Sequence, residues 1–412
     1  MTEAAAWLGI APGHPFGLQT LPYGSFTTRD RAARPRVGVR IGDQVLDLTA
    51  ATDRLLTARA DLFMGGRLDL FLDAGNNAWA LIREALTIWL SREQYRDALE
   101  DLLVPVGDVT LHLPFTVCDY VDFYASEHHA SNVGRILRPA SAPLAANWRH
   151  QPVGYHGRSG TVVVSGTPVR RPYGQFRPPG AEAPVFGPSQ RLDFEAELGF
   201  VVGVESQLCE PVAASRFAEH VFGVCLVNDW SARDIQAWES APLGPFLGKS
   251  FGTTLGPWVV PLAALEQARV PAPSRATPLL PYLAESADWG LDIDFEVSLN
   301  GHVISRPPYA TTHWSPAQML AHMTVNGASL RTGDLYASGT VSGPEPGQRG
   351  CLLELTWGGT EPLALPDGTT RAWLADSDEV IITGTAPGPD GTRVGLGQAR
   401  GQVLPPQDPT GL

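Results

Sequence analysis

Glycine and proline interrupt this chain so often that long regular elements have little room: 43 Gly and 36 Pro stand among 412 residues. Proline removes a backbone donor and fixes φ, and glycine weakens helices, so frequent interruption favours short strands joined by turns. Beyond about residue 115 the two recur every few positions. Between them lie short β-rich runs at 161–165, 192–204, 258–261, 291–299, 351–357 and 379–384. This pattern specifies a mainly β domain of roll or sandwich type.

The preceding part reads differently. Residues 36–48 (RVGVRIGDQVLDL) alternate around Gly42-Asp43 and predict a hairpin in a small β module. Residues 76–103 then carry Trp79, Leu81, Ile82, Leu86, Trp89 and Leu90 at helical spacing, predicting one or two helices before a boundary near 111–115. Two helices are expected to interrupt the β domain. One opens at Ser231-x-x-Asp234, a capping-box form, and one at Ser315-Pro316-x-Gln318, with Gly327 as its stop. No internal repeat or low-complexity tract is present.

The net charge is −13, which opposes nucleic-acid binding, because that depends on Lys and Arg displacing counterions. No window of 18 apolar residues runs without Gly, Pro or charge, and residues 1–17 lack a basic start followed by an apolar run, so neither membrane nor export is expected. Cys118, Cys209, Cys225 and Cys351 are scattered without C-x-x-C spacing, which fits a reducing cytoplasm and neither a zinc site nor a disulfide framework.

Of the 30 basic residues, 29 are Arg and one is Lys, Lys249, set in GPFLGKSFGTT. A compact ammonium can enter a small polar pocket where a guanidinium cannot; a retained surface charge is the plain alternative. Residues 192–198 (LDFEAEL) alternate Asp193, Glu195 and Glu197 with apolar residues, which on a strand places all three carboxylates on one face. Alternating acids ordinarily mark a solvated face. Against that, Asp229 follows the apolar run 222–227 and so ends a buried strand, and carboxylates so gathered would need a cation. All-oxygen ligation points to a hard ion, Ca²⁺ or Mg²⁺. Asp229, Arg233 and Gln236 fall at i, i+4 and i+7, one helix face, which suits either oxyanion binding or an ordinary surface ion pair. His128, His129, His150 and His156 cluster near Asp122 and Tyr124, and an imidazole is the natural base near neutral pH. No G-x-S-x-G elbow or dinucleotide-binding glycine pattern in its proper setting occurs.

At these residues the chain resembles the fumarylacetoacetate hydrolase family. The resemblance is dense in DFYASEHHASNVG (122–134), PVGYHGR (152–158), NDWSARDIQ (228–236), PLGPFLGKSFGTT (242–254) and SGTVSGPEP (338–346), and it extends through LPYG (21–24) over nearly the whole chain. It implies a small SH3-like β-barrel at 1–114 and a large catalytic β-roll at 115–412, assembled as a homodimer. By motif, Asp122, Glu195, Glu197 and Asp229 correspond to the family's Ca²⁺ ligands, and a Mg²⁺ is associated with Lys249, Gly252 and Thr253. Asp193 is not a family ligand. His129 corresponds to the base and Glu354 to its acidic partner. Tyr124, Arg138, Tyr155, Gln236 and Thr340 match substrate contacts, while Arg233, Gln236 and Lys249 match groups that serve the transition state. The implied reaction is hydrolysis of the carbon–carbon bond of fumarylacetoacetate to fumarate and acetoacetate, the last step of tyrosine degradation. Two departures stand out: Ser240 replaces a substrate-contacting Tyr of the animal enzymes, and Glu127-His128 replaces a basic and amide pair. Rival expectations are an acylpyruvate hydrolase, a keto-acid decarboxylase or isomerase of the same superfold, and a non-catalytic metal-binding dimer; the full-length match and the His129/Glu354 pair favour hydrolysis.

Overall fold

The computed structural model of the chain describes residues 4–28, 34–284 and 289–409. The protein is mainly β, with a smaller amino-terminal part and a larger carboxy-terminal part. The amino-terminal sheet has five antiparallel strands in the order Leu103–Pro105, Gln44–Asp47, Arg36–Ile41, Tyr23–Thr28, Val109–His112. The expected hairpin is present, with Ile41 opposite Gln44 and Gly42 at φ +59°, a value glycine reaches without strain. Helix Gly75–Ser91 buries Ala78, Trp79, Ile82, Leu86, Trp89 and Leu90. Leu81, expected on the same face, is exposed, because 100° per residue carries it off the stripe. Extended Arg92 ends this helix, and three short helical turns follow before the strand at Leu103.

Two large sheets dominate the larger part, beside several two-stranded ones. One runs Gly154–His156, Tyr120–Phe123, Leu335–Ala337, Ala196–Val202, Val221–Asp229, Thr253–Leu255, Val162–Val164, with Val260–Pro261 also paired to Val221–Asp229. The other runs His302–Ser305, Asp294–Leu299, Glu379–Pro387, Arg393–Leu404, Val169–Arg170. Strand Val221–Asp229 is buried throughout, as a continuous apolar run predicts for a strand covered on both faces. Val221, Val224 and Leu226 enter the core of the larger part. Phe222, Cys225 and Val227 enter a second core shared with the amino-terminal helices.

Several local expectations change. Run 351–357, read as a strand, contains the helical turn Leu352–Leu355, whose Leu352 and Leu353 amides donate to buried Asp193. Run 192–204 is two strands, Leu192–Asp193 and Ala196–Val202, which pair with different partners. Only Val260–Pro261 of run 258–261 is strand. Ser231 belongs to a strand and donates to the Asp229 carbonyl, so it does not cap a helix. Helix Arg233–Glu239 opens at Ala232 without a side-chain cap, and Asp234 instead receives Ser189 and Gln190. The box at Ser315 forms in full, with Pro316 in the first turn of helix Pro316–Thr324 and Gly327 at φ +91° just beyond it. Among the described residues no helix is long and apolar enough to cross a membrane, and the four cysteines are free.

Candidate active site

Strand register gathers the acids. Asp122 lies opposite Ala337 and Ala337 opposite Gly199, two positions from Glu197. Glu197 pairs with Val227, two positions before Asp229. Directly opposed residues share a face, so Asp122, Glu197 and Asp229 project from one side of neighbouring strands. Glu195 joins them from the break before Ala196, held by its amide on Asn228 Oδ1. One oxygen from each of Asp122, Glu195, Glu197 and Asp229 lies within 4.8 Å of the others, and all four residues are buried.

Asp193 leaves the face on which strict alternation would place it. The change of strand partner after it turns its carboxylate to Arg233 and the 352–353 backbone instead of to the acid cluster. Likewise Asp229, Arg233 and Gln236 do not share one helix face. Asp229 ends a strand, and only the other two lie on the helix.

Lys249 is in the cluster. Its Nζ contacts Glu195 Oε2 and donates to Asp229 Oδ2 at 2.9 Å. Arg233 Nη2 lies 2.8 Å from Glu195 Oε1, and its Nη1 donates to Gln236 Oε1 at 3.3 Å. Tyr155 and Thr253 donate to the two oxygens of Asp229. These contacts are uneven. Burial pushes the Glu195 carboxyl up, but Arg233 and Lys249 outweigh it and hold the group well below its ordinary range. Burial and the Asp229 charge push Asp122 well up, and burial and Asp122 do the same to Glu197. Burial works against the Lys249 ammonium, yet Asp229 and Glu195 hold it more firmly protonated than usual.

Asp122 Oδ1 and both Glu197 oxygens are buried without a hydrogen-bond partner. Orphan acceptors of this kind, in an all-carboxylate set whose charge two cations do not balance, fit a hard divalent ion. Protonated Lys249 has no lone pair to give a metal, so at 249, 252 and 253 only backbone carbonyls and the Thr253 hydroxyl could serve a second ion.

The histidines separate. His129, on helix Glu127–Leu137 capped by Ser126, places Nδ1 2.6 Å from Glu354 Oε2. Ser342 donates to the same oxygen at 2.7 Å and Asn132 to Oε1 at 2.9 Å. Burial raises the Glu354 carboxyl, but His129 and these donors outweigh it and keep the group below its ordinary range. Nδ1–H then faces Glu354, which leaves Nε2 free as a base. His128, His150 and His156 take no part in the cavity lining.

A cavity of about 420 Å³ joins these groups. His129, Asp122, Glu195, Glu197, Arg233, Gln236 and Lys249 line it, with Tyr124, Tyr155 and Thr340. Tyr124 meets the His129 ring edge-on at 5.3 Å. Gly339, at φ +76°, turns Thr340 inward where any Cβ would come within 2.1 Å of the Phe123 carbonyl. Val133, Leu137, Val153, Leu243 and Pro245 make the other wall apolar, with Ser240 beside them. Arg138 does not line the cavity; exposed at the end of its helix, it reaches the Pro143 carbonyl at 3.5 Å. Glu127 engages Arg149 and His313 outside it. Ser342 and Asn132 were missed from the sequence. The i, i+3 spacing of His129 and Asn132 was a usable signal, whereas nothing local marks Ser342.

Residues 19–114 match the model described as fumarylacetoacetase N-terminal, and residues 119–404 that described as fumarylacetoacetate (FAA) hydrolase C-terminal. The chain is 46% identical to a Bos taurus protein named fumarylacetoacetase over 97% of this chain and 99% of that one. It is 44% identical to its Arabidopsis thaliana namesake over 98% and 99%. A solved fumarylacetoacetate hydrolase from psychrophilic Exiguobacterium antarcticum superposes with TM-score 0.54 over 93% of this chain and 99% of that one; at 18% identity it supports the fold alone. Two domain models in order and relatives matched end to end place the chain in the fumarylacetoacetate hydrolase family.

Proposed function

We propose that this protein hydrolyses the carbon–carbon bond of 4-fumarylacetoacetate to fumarate and acetoacetate, closing tyrosine degradation. The observation that carries this reading is one cavity lined by three of the four clustered carboxylates, Asp122, Glu195 and Glu197, and by His129, whose ring is held by Glu354. Asp122, Glu195, Glu197 and Asp229 would hold a Ca²⁺ or Mg²⁺, and the backbone of Lys249 and Gly252 with Thr253 a further Mg²⁺. Such an ion supplies Lewis-acid polarisation of a 1,3-dicarbonyl.

His129 Nε2 takes a proton from water, and Glu354 holds the ring in the required tautomer and stabilises the imidazolium. The hydroxide adds to the carbonyl carbon on the fumaryl side, and the bond to the acetoacetate carbon breaks with its electron pair, which is then protonated. Arg233, Gln236 and Lys249 face the developing negative charge, where one preorganised donor is worth about 3 kcal/mol. Tyr124, Tyr155 and Thr340 orient the substrate from the lining. Arg138, outside the lining, would reach a substrate carboxylate only at the cavity mouth. The remaining elements of the proposal are domains divided at 1–114 and 115–412, a homodimer, and a cytoplasmic location.

The test is loss of the fumarylacetoacetate absorbance with purified protein. Turnover is expected, with loss on chelation and recovery on returning Ca²⁺ or Mg²⁺. His129→Ala should lose about 10²- to 10⁴-fold in kcat while its metal content stays unchanged. Full activity without His129 would refute the assigned base.

A further inference from the structure

We propose that Asp193 is a positioning residue for this reaction: its carboxylate fixes the Arg233 guanidinium and the backbone turn carrying Glu354 in one frame. Asp193 is fully buried and does not line the cavity, so it touches neither substrate nor ion. Oδ1 accepts the amides of Phe194 at 2.8 Å and Leu352 at 2.7 Å. Oδ2 accepts Arg233 Nε at 2.9 Å and the Leu353 amide at 3.0 Å. Burial pushes the Asp193 carboxyl up against the Arg233 charge, but with two donors on each oxygen a proton has no place to sit, so the group accepts as a carboxylate at its whole capacity and each bond is charge-assisted.

The partners lie far apart in sequence and serve different halves of the site. Arg233 carries its other end to Glu195 and Gln236. Leu353 immediately precedes Glu354, whose carboxylate orients His129. The distance between the oxyanion-holding guanidinium and the proton-taking imidazole is therefore set through Asp193. Misplacement of reacting groups by an ångström costs rate more than binding. Aspartate is required because all four partners donate: an amide would turn its NH₂ toward either Arg233 and Leu353 or Phe194 and Leu352.

The proposal rests on the hydrolase reading, so two of its three readouts need no substrate. In Asp193→Asn, kcat should fall at least thirtyfold with KM within threefold of wild type. The ¹⁵N resonance of His129 Nδ1, a group that shares no hydrogen bond with Asp193, should shift. In the unaltered protein the Leu352 and Leu353 amides should exchange with deuterium as slowly as those of Phe200 and Val224 in the central sheet; this decides the matter if Asp193→Asn does not fold. Wild-type-like kcat, an unmoved His129 resonance, or exchange of Leu352 and Leu353 a hundredfold faster than the sheet would each overturn the proposal. Absence of turnover in the wild type would instead refute the hydrolase reading, leaving the resonance and the exchange to judge Asp193.

Discussion

His129 and Glu354 stand 225 positions apart, yet their 2.6 Å contact has a consequence that pH can reveal. The Glu354 carboxyl is held below its ordinary range, because His129 and the donors Asn132 and Ser342 outweigh its burial. A depressed carboxyl stabilises the fold above its unfolded pKa, about 4.3, and the benefit is lost as pH falls through the folded value. The melting difference between wild type and Glu354→Gln should therefore be full from about pH 5 upward and narrow below about pH 4. A gap that widens on acidification would contradict the assignment. At this scale the motifs made Asp122, Glu195, Glu197, Asp229 and His129 legible. Asn132 and Ser342 escaped because their partner is brought to them only by folding, and Asp193 was misplaced because strict alternation hid a change of strand partner.

Elements were legible where a local signal has one reading. Ser315-Pro316-x-Gln318 gives both halves of a capping box, and the structure forms both. Ser315→Ala should cost about 1 kcal/mol in denaturant unfolding, with less than twofold change in kcat. A cost near zero would mean that the orphan amides find other acceptors. Run 351–357 was misread because a short apolar stretch suits a strand or a buried helical turn equally. What decides is Asp193, 159 positions from Leu352, accepting its amide. Ser231-x-x-Asp234 failed in the same way: pairing of Ser231 with Asp193 holds it in a strand, and Asp234 is drawn to Ser189.

At the scale of the whole molecule, the catalytic sheet is lined on one face by the amino-terminal part. Phe222 meets the rings of Tyr23, Phe71 and Trp79 at 5.5, 5.4 and 5.1 Å. The strand that bears it ends at Asp229, so packing between the two parts sets the strand that delivers a cluster carboxylate. Phe222→Ala should cost about 3–5 kcal/mol, and both parts should unfold in one transition by fluorescence and by far-UV dichroism. Two separated transitions would show the amino-terminal part to be an independent appendage. The sequence leads to the expectation of a boundary near 111–115 but gives no sign of this packing, because contacts between rings 143 to 199 residues apart leave no periodic trace. The same holds for the acid cluster, whose members come from three separate stretches. Anomalous diffraction from crystals soaked in Mn²⁺, a hard divalent probe, tests that cluster most directly. A single strong peak among the Asp122, Glu195, Glu197 and Asp229 carboxylates, beside His129, is the expected result; a map with no ion there and the carboxylates turned apart would contradict it.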